Sequence, residues 1–152
     1  MSLLLGKEYC KVDSNGRFKL PAALKRQMEG DDYRFVVRES IVARCLEMWP
    51  YASFKEEVES LQSRLRTYDT DERDLLRRLS EGNIVELDTS DRMLVPPEQK
   101  PVIEGAKEIV LQAAGKFIEI WDRRAYERMN KPNSDYAELA KRLLYRTPEQ
   151  QS

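Results

Sequence analysis

Apolar and polar residues alternate along Cys10-Lys11-Val12, stop at Asp13-Ser14-Asn15-Gly16, and alternate again along Arg17-Phe18-Lys19-Leu20 before Pro21. Successive strand side chains point to opposite faces, so this pattern predicts a strand, a tight turn, a second strand and a helix start. Asp13 can open the turn by accepting from the backbone ahead of it, and Gly16 can take the positive φ that a short hairpin loop needs. Pro21 cannot donate to a strand ladder but suits the first turn of a helix. The predicted hairpin spans 7–13 and 17–20. One face carries Cys10, Val12, Phe18 and Leu20, and the other carries Lys11, Arg17 and Lys19.

The same pattern returns at an offset of 75 positions, where Asp88-Thr89-Ser90-Asp91-Arg92-Met93-Leu94-Val95-Pro96 repeats Asp13 to Pro21. Tyr33-Arg34-Phe35-Val36-Val37 is echoed by Lys107-Glu108-Ile109-Val110-Leu111, and Cys45-Leu46-Glu47-Met48-Trp49 by Phe117-Ile118-Glu119-Ile120-Trp121. Five residues after each Trp stands an aromatic on a helical pattern, Phe54 and Tyr126. A colinear series of this kind marks an internal repeat.

Between these landmarks the first half predicts a short helix over 21–28 stopped at Gly30, then strands at 33–38 and 44–49. Ser53 and Glu56 have capping-box spacing, and Phe54, Val58, Leu61 and Leu65 follow at helical intervals. A second helical pattern runs from Asp69 to Gly82, with acids in its first turn and Gly82 as its stop. In the second half a hairpin is expected at 84–88 and 92–95. At most one helical turn should follow Pro96, because Pro97 and Pro101 interrupt it. Strands at 107–113 and 116–121 come next, then a helix from Arg123 to Met129 capped by Asp122. Lys131-Pro132-Asn133 should break that helix, with a restart at Asp135 and a disordered tail after Arg146. The resulting division is a first repeat at 5–52, a helical linker at 53–82, a second repeat at 83–126, and a C-terminal helix and tail at 127–152.

Composition narrows the chemistry. The 152 residues are 41% hydrophobic and 35% charged, which suits a globular fold with charged helices rather than disorder. A net charge of −1 gives no global pull toward nucleic acid, so any such binding needs a local basic patch. No apolar run approaches the ~20 residues of a membrane span, and Leu3-Leu4-Leu5 is too short for a signal-peptide core. A cytoplasmic protein is expected. There is no histidine, which removes Ser-His and Cys-His pairs and the commonest zinc ligand. Cys10 and Cys45 are far apart and read as small buried hydrophobes. No two carboxylates share an apolar setting of the kind acid–base catalysis needs, so neither an enzyme nor a cofactor is expected. Trp49 and Trp121 read as core or interface anchors. The leucine stripes on 54–65 and 75–79 seek a partner, either a barrel or another subunit.

Arg17 is the first candidate for recognition, since a guanidinium beside a tight turn can meet a phosphate or fork onto a guanine edge. Asp13 could hold that side chain, and Lys11 and Lys19 flank it. On the residues alone, a turn-forming Asp13 with a solvated Arg17 is the ordinary reading. The duplicated Asp-x-x-x-Arg turn, with a downstream Pro and a Trp-ended strand in each copy, changes the balance. Over residues 5–145 it resembles the MraZ proteins of bacteria, relatives of the AbrB-type transition-state regulators. The resemblance implies a β-barrel with peripheral helices (α+β), in which two interleaved AbrB-like half-repeats form one swapped-hairpin, double-psi-like barrel. It also implies a nucleoid-associated, ring-shaped homo-oligomer that binds duplex DNA as a transcriptional regulator. Its target would be short direct repeats upstream of a cell-division and cell-wall gene cluster. Asp13 and Arg17 fall on the motif implicated in contacting DNA, with Asn15 and Gly16 in the same turn. Asp88 and Arg92 are their second copies.

The second copy departs from the pattern. At the common offset Lys11 becomes Glu86, Lys19 becomes Leu94 and Gly16 becomes Asp91. Aspartate tolerates positive φ less well than glycine, which opens the second turn to a change of shape, and it sets an acid beside Arg92. The first repeat is therefore expected to carry most of the DNA contact. The near-neutral charge favours a competing reading, an AbrB-like protein-binding module, antitoxin-like or a scaffold, that does not read DNA.

Overall fold

A computed structural model describes residues 3–28, 30, 32–129 and 135–147. In chain order the strands are β1 (Lys7–Lys11), β2 (Arg17–Lys19), β3 (Arg34–Glu39), β4 (Leu46–Pro50), β5 (Asn83–Glu86), β6 (Arg92–Leu94), β7 (Glu108–Ala113) and β8 (Ile118–Asp122). The helices are α1 (Ala22–Lys25), α2 (Tyr51–Arg64), α3 (Thr70–Ser80), α4 (Arg123–Met129) and α5 (Asp135–Leu144), with a 3-10 segment at Pro97–Ile103.

Six strands form one antiparallel sheet in the order β1-β7-β8-β4-β3-β5, while β2 and β6 pair separately as a two-stranded ribbon. The fold is α+β, as expected, but the sheet is not closed into a barrel. β1 and β5 each pair on one side only, and the ribbon closes the core by side-chain packing instead of a continuous ladder. Its strands are three residues long and share no ladder with β1 or β5.

The expected hairpins also take another form. β1 pairs with β7 and β2 with β6, and β5 pairs with β3 rather than with β6. Each turn is closed by one pair of bonds between its ends, after which the two flanking strands part. The Asp13 N–H donates to the Arg17 carbonyl at 2.8 Å and the Asp88 N–H to the Arg92 carbonyl at 2.9 Å. Strand β1, strand β2 and strand β4 thus find partners in the second half, and so does β3 on one side. The ribbon's own extension is symmetric. The Leu20 N–H donates to the Asp91 carbonyl and the Val95 N–H to the Gly16 carbonyl, at 2.8 and 2.9 Å.

The period-2 pattern decides which side chains meet. Phe18 and Met93 of the ribbon pack with Phe35, Val37, Met48, Ile109, Leu111, Ile118 and Ile120 in the main core. The central strands are apolar on both faces because the outer face is covered too. There Val36, Trp49 and Phe54 form a cluster beneath α2, and Val110, Cys45, Trp121 and Tyr126 form another beside α4. The two tryptophans are buried anchors, each set edge-on to its helix's aromatic: Trp49 to Phe54 at 5.9 Å and Trp121 to Tyr126 at 6.0 Å. Each indole N–H donates at 3.1 Å to the glutamate two residues before it, Glu47 or Glu119. Burial is the main force raising the Cys10 thiol to about 11 and the Cys45 thiol to about 12, which keeps both protonated.

Four local expectations need correction. α2 starts at Tyr51 directly after Pro50, with no side-chain cap, so Ser53 and Glu56 lie inside the helix rather than at its start. α3 is capped by Asp69 but ends at Ser80 without a left-handed glycine. Gly82 is needed for close approach instead, since a Cβ there would lie 2.6 Å from Val36 Cγ1. α1 ends three residues early, at Lys25. The segment after Pro96 runs seven residues as a 3-10 helix, longer than one turn, and buries Gln99 and Ile103. Gln99 Nε2 donates to the Val37 carbonyl at 3.0 Å, which ties it to β3. Residues 131–133 and the tail beyond 147 lie outside the described residues. Among the described residues no helix is long and apolar enough to cross a membrane.

Candidate functional site

Both turns are built by an aspartate. Asp13 Oδ1 accepts from the Asn15 and Arg17 backbone N–H groups, each at 2.9 Å, and the Gly16 N–H donates to the Asp13 carbonyl at 3.0 Å. Asp88 Oδ1 accepts from Ser90 at 2.8 Å and Arg92 at 2.9 Å, and the Asp91 N–H donates to the Asp88 carbonyl at 3.0 Å. The fourth residue of each turn has positive φ, 82° at Gly16 and 60° at Asp91. The aspartate leaves the turn's shape unchanged, since a short polar side chain tolerates the left-handed region. Both turn carboxylates titrate below the usual range. The arginine backbone N–H is the largest cause, and the second N–H and the arginine charge add to it against a smaller desolvation effect.

The second carboxylate oxygen faces the arginine. Arg92 Nε donates to Asp88 Oδ2 at 3.1 Å. Arg17 Nε lies 3.3 Å from Asp13 Oδ2, within ion-pair range but without an aligned hydrogen bond, and it is shielded from solvent. Arg17 is thus positioned by the turn and less firmly tethered than Arg92. No hydrogen bond engages its terminal nitrogens among the described residues.

Ribbon register sets Arg17 across from Leu94, Phe18 across from Met93, and Lys19 across from Arg92. Phe18 and Met93 face the core, so Arg17, Lys19, Arg92 and Leu94 share the outer face. Arg17, Lys19 and Arg92 are brought together, and Asp13, Asn15, Gly16 and Asp88 form the turns that carry them. Lys11 is not brought to this face. It lies on β1 in the large sheet, in register with Glu108, because β1 and β2 part after the turn.

Two residues of this site are not among those singled out from the sequence. Lys25 Nζ donates to Asp91 Oδ1 at 2.7 Å and sits 4.6 Å from the centre of the Tyr33 ring. The acid beside Arg92 is therefore paired with a lysine of the other half. Lys100 Nζ lies against Gly16, 2.5 Å from where a Cβ would stand. A cavity of about 200 Å3 beside it is lined by Asp13, Ser14, Gly16, Lys100 and Lys107. The offset of 75 relates Lys25 to Lys100, so the signal was present in the sequence.

The fold and site define a two-repeat α+β protein whose Asp-built turns deliver one arginine each to a shared ribbon. A family model described as "MraZ protein, putative antitoxin-like" matches residues 3–78 and again residues 79–147, the two repeats. The chain belongs to the MraZ family. A protein of Flavobacterium psychrophilum is 32% identical over 147 residues, covering 95% of this chain and 93% of its own length. One from Christiangramia forsetii is 34% identical over 146 residues, covering 93% and 92%. One from Cytophaga hutchinsonii is 30% identical over 146 residues, covering 95% and 96%. Each of the three is named Transcriptional regulator MraZ.

Proposed function

We propose that this chain binds duplex DNA through the outer face of the β2–β6 ribbon and regulates transcription. The observation that carries the reading is the juxtaposition on one exposed ribbon of Arg17, Lys19 and Arg92, cations drawn from both repeats. Lys19 and Arg92 stand in register, two like charges directly opposite, and a bound phosphate would add to the relief that the Asp88 carboxylate already gives Arg92. A two-stranded ribbon fits the major groove of B-DNA, where an arginine can fork onto guanine and neighbouring lysines meet phosphates. The names of the relatives support a regulatory role.

The finer reading follows the family resemblance. The target is a set of short direct repeats upstream of a cell-division and cell-wall gene cluster, and the protein acts in the cytoplasm at the nucleoid. One ribbon meets few phosphates, so several copies in a ring-like homo-oligomer would gain affinity through effective concentration. Ile41, Val42 and Leu75 remain exposed and offer apolar surface for that assembly. A mobility shift with DNA from upstream of the protein's own gene tests the function, with binding expected at low salt. Light scattering after size exclusion should show a particle much larger than a dimer.

The net charge of −1 and the family's antitoxin-like description support a second reading, a protein-binding module that does not read DNA. Failure to shift any duplex at low salt, by a protein of native oligomer size, would decide for it.

A further inference from the structure

Lys25 and Lys100 occupy equivalent places, each a few residues after the proline that ends its ribbon strand, and each reaches the turn of the opposite repeat. At those turns the symmetry fails. Lys25 meets a carboxylate, because the fourth turn residue is Asp91. Lys100 meets Gly16, which has no side chain, and no carboxylate pairs with it among the described residues. Lys25 and Asp91 are 29% and 36% exposed in their side chains, so the pair is only partly screened by water. Lys100 is half-buried as well, yet it sits beside an open cavity lined by Ser14, Lys107 and Asp13, whose carboxylate is engaged by its own turn and Arg17 and forms no ion pair with Lys100. A partly desolvated ammonium without a partner is a favourable place for an anion.

We propose that Asp91 takes the place of a DNA phosphate at the second turn, holding Lys25 out of use, and that Lys100, left free by Gly16, grips a backbone phosphate at the first turn. The proposal rests on the DNA-binding reading above and assigns a further phosphate-binding residue to it. It also makes Asp91 one reason that the repeats differ. The ligand chemistry is a phosphodiester oxygen, bound by an ammonium as a point charge, so Lys100 adds affinity without sequence preference.

The test is the salt dependence of binding to a duplex from upstream of the protein's own gene, with a random-sequence duplex of equal length beside it. Each phosphate contact contributes about 0.9 to the slope of log affinity against log salt. Lys100→Gln should flatten the slope by about one on both duplexes, whereas Lys25→Gln should not flatten it. Asp91→Asn keeps the tolerance for positive φ and removes the charge. It should steepen the slope by about one, and Lys25→Gln added to it should abolish the gain. Oligomer size and circular dichroism confirm that each variant is folded. Lys100 lies at the first turn and not at the Asp91 turn, so its arm stands even if Asp91→Asn perturbs that turn.

Equal slopes for Lys100→Gln and the parent overturn the phosphate role of Lys100. An unchanged slope in a folded Asp91→Asn variant overturns the role of Asp91. Competition by inorganic phosphate beyond that of chloride at matched ionic strength would show a free-anion site and overturn the DNA assignment. Loss of all duplex binding by the parent chain would instead bring down the DNA-binding reading, and this inference with it.

Discussion

The Asp13 turn and the Asp88 turn share every backbone hydrogen bond, yet Gly16 leaves Lys100 without an acid where Asp91 takes Lys25. Shape is set by an aspartate accepting two N–H groups and by one residue that can adopt positive φ, and glycine and aspartate both meet that need. Charge is set by the fourth turn residue together with a lysine contributed from the other repeat. A duplicated loop can therefore keep its geometry while its electrostatics diverge, and matching geometry is a poor guide to matching function.

Four measurements break or sharpen that comparison. The largest effect asks whether the repeats also differ in packing. Trp49 is stacked on Phe117 at 4.7 Å as well as set against Phe54, whereas Trp121 has Tyr126 alone as its aromatic contact among the described residues. Trp49→Ala should cost about 3–5 kcal/mol of unfolding free energy. Trp121→Ala should cost less by about 0.5–1.5 kcal/mol, the worth of one aromatic pair. Denaturant unfolding measures both, and equal losses would show the stack with Phe117 to be energetically idle.

The next effect is on DNA. Arg17→Ala should weaken binding to the upstream fragment by about 1–3 kcal/mol if the guanidinium reads a base, and Arg92→Ala by clearly less. Arg92 is hydrogen-bonded to Asp88 and would have to leave it. An equal or larger loss from Arg92→Ala, measured by fluorescence anisotropy, assigns the reading face to the wrong repeat.

A smaller effect lies in the turn itself. Gly16→Ala places a Cβ at φ 82° against Lys100 Nζ, which as the end of a flexible chain can move aside. The backbone conformation then dominates the cost, about 1–2 kcal/mol of stability. Asp91→Gly relieves the same conformation but gives up the pair with Lys25, so its stability should change by less than about 1 kcal/mol. Thermal unfolding of the two variants compares them, and similar losses would mean that the turns are not equivalent in strain.

The smallest effect is on acid stability. The carboxyls of Asp13 and Asp88 are both depressed on folding, so their contribution is present above the unfolded carboxylate pKa and is lost as pH falls through the lowered folded values. Asp13→Asn and Asp88→Asn should each remove part of the acid sensitivity below about pH 4, and by similar amounts. Asp32, lowered to about 2 chiefly by the Arg34 side chain, titrates in the same range, so the two variants are best compared with each other. Unequal acid midpoints by circular dichroism would break the equivalence of the turns.

Much of this molecule was legible in order of residues. Local rules placed the turns at Asp13 and Asp88, the strands, the Asp122 cap and the buried tryptophans, because each depends on neighbours a few positions away. The repeat was visible because it is colinear. The capping box at Ser53 misled because Pro50 already carries the chain from β4 into α2 three residues sooner. Gly82 was read as a helix stop when its role is set by Val36, far away in sequence.

The sequence by itself determined the duplication, the Asp-built turns and the split of each strand into an apolar and a polar face, since these follow from spacing and local hydrogen bonding. Only the tertiary structure decided which strands pair. Two adjacent strands with matching apolar faces can satisfy their ladders with each other or with distant partners, and the local pattern is the same in both cases. Here β1 and β2 take β7 and β6, which opens the sheet, moves Lys11 away from Arg17 and sets Lys19 beside Arg92. The same long-range pairing carries Lys25 and Lys100 across to the opposite turns, and so decides which of two equal backbones has a cation to spare.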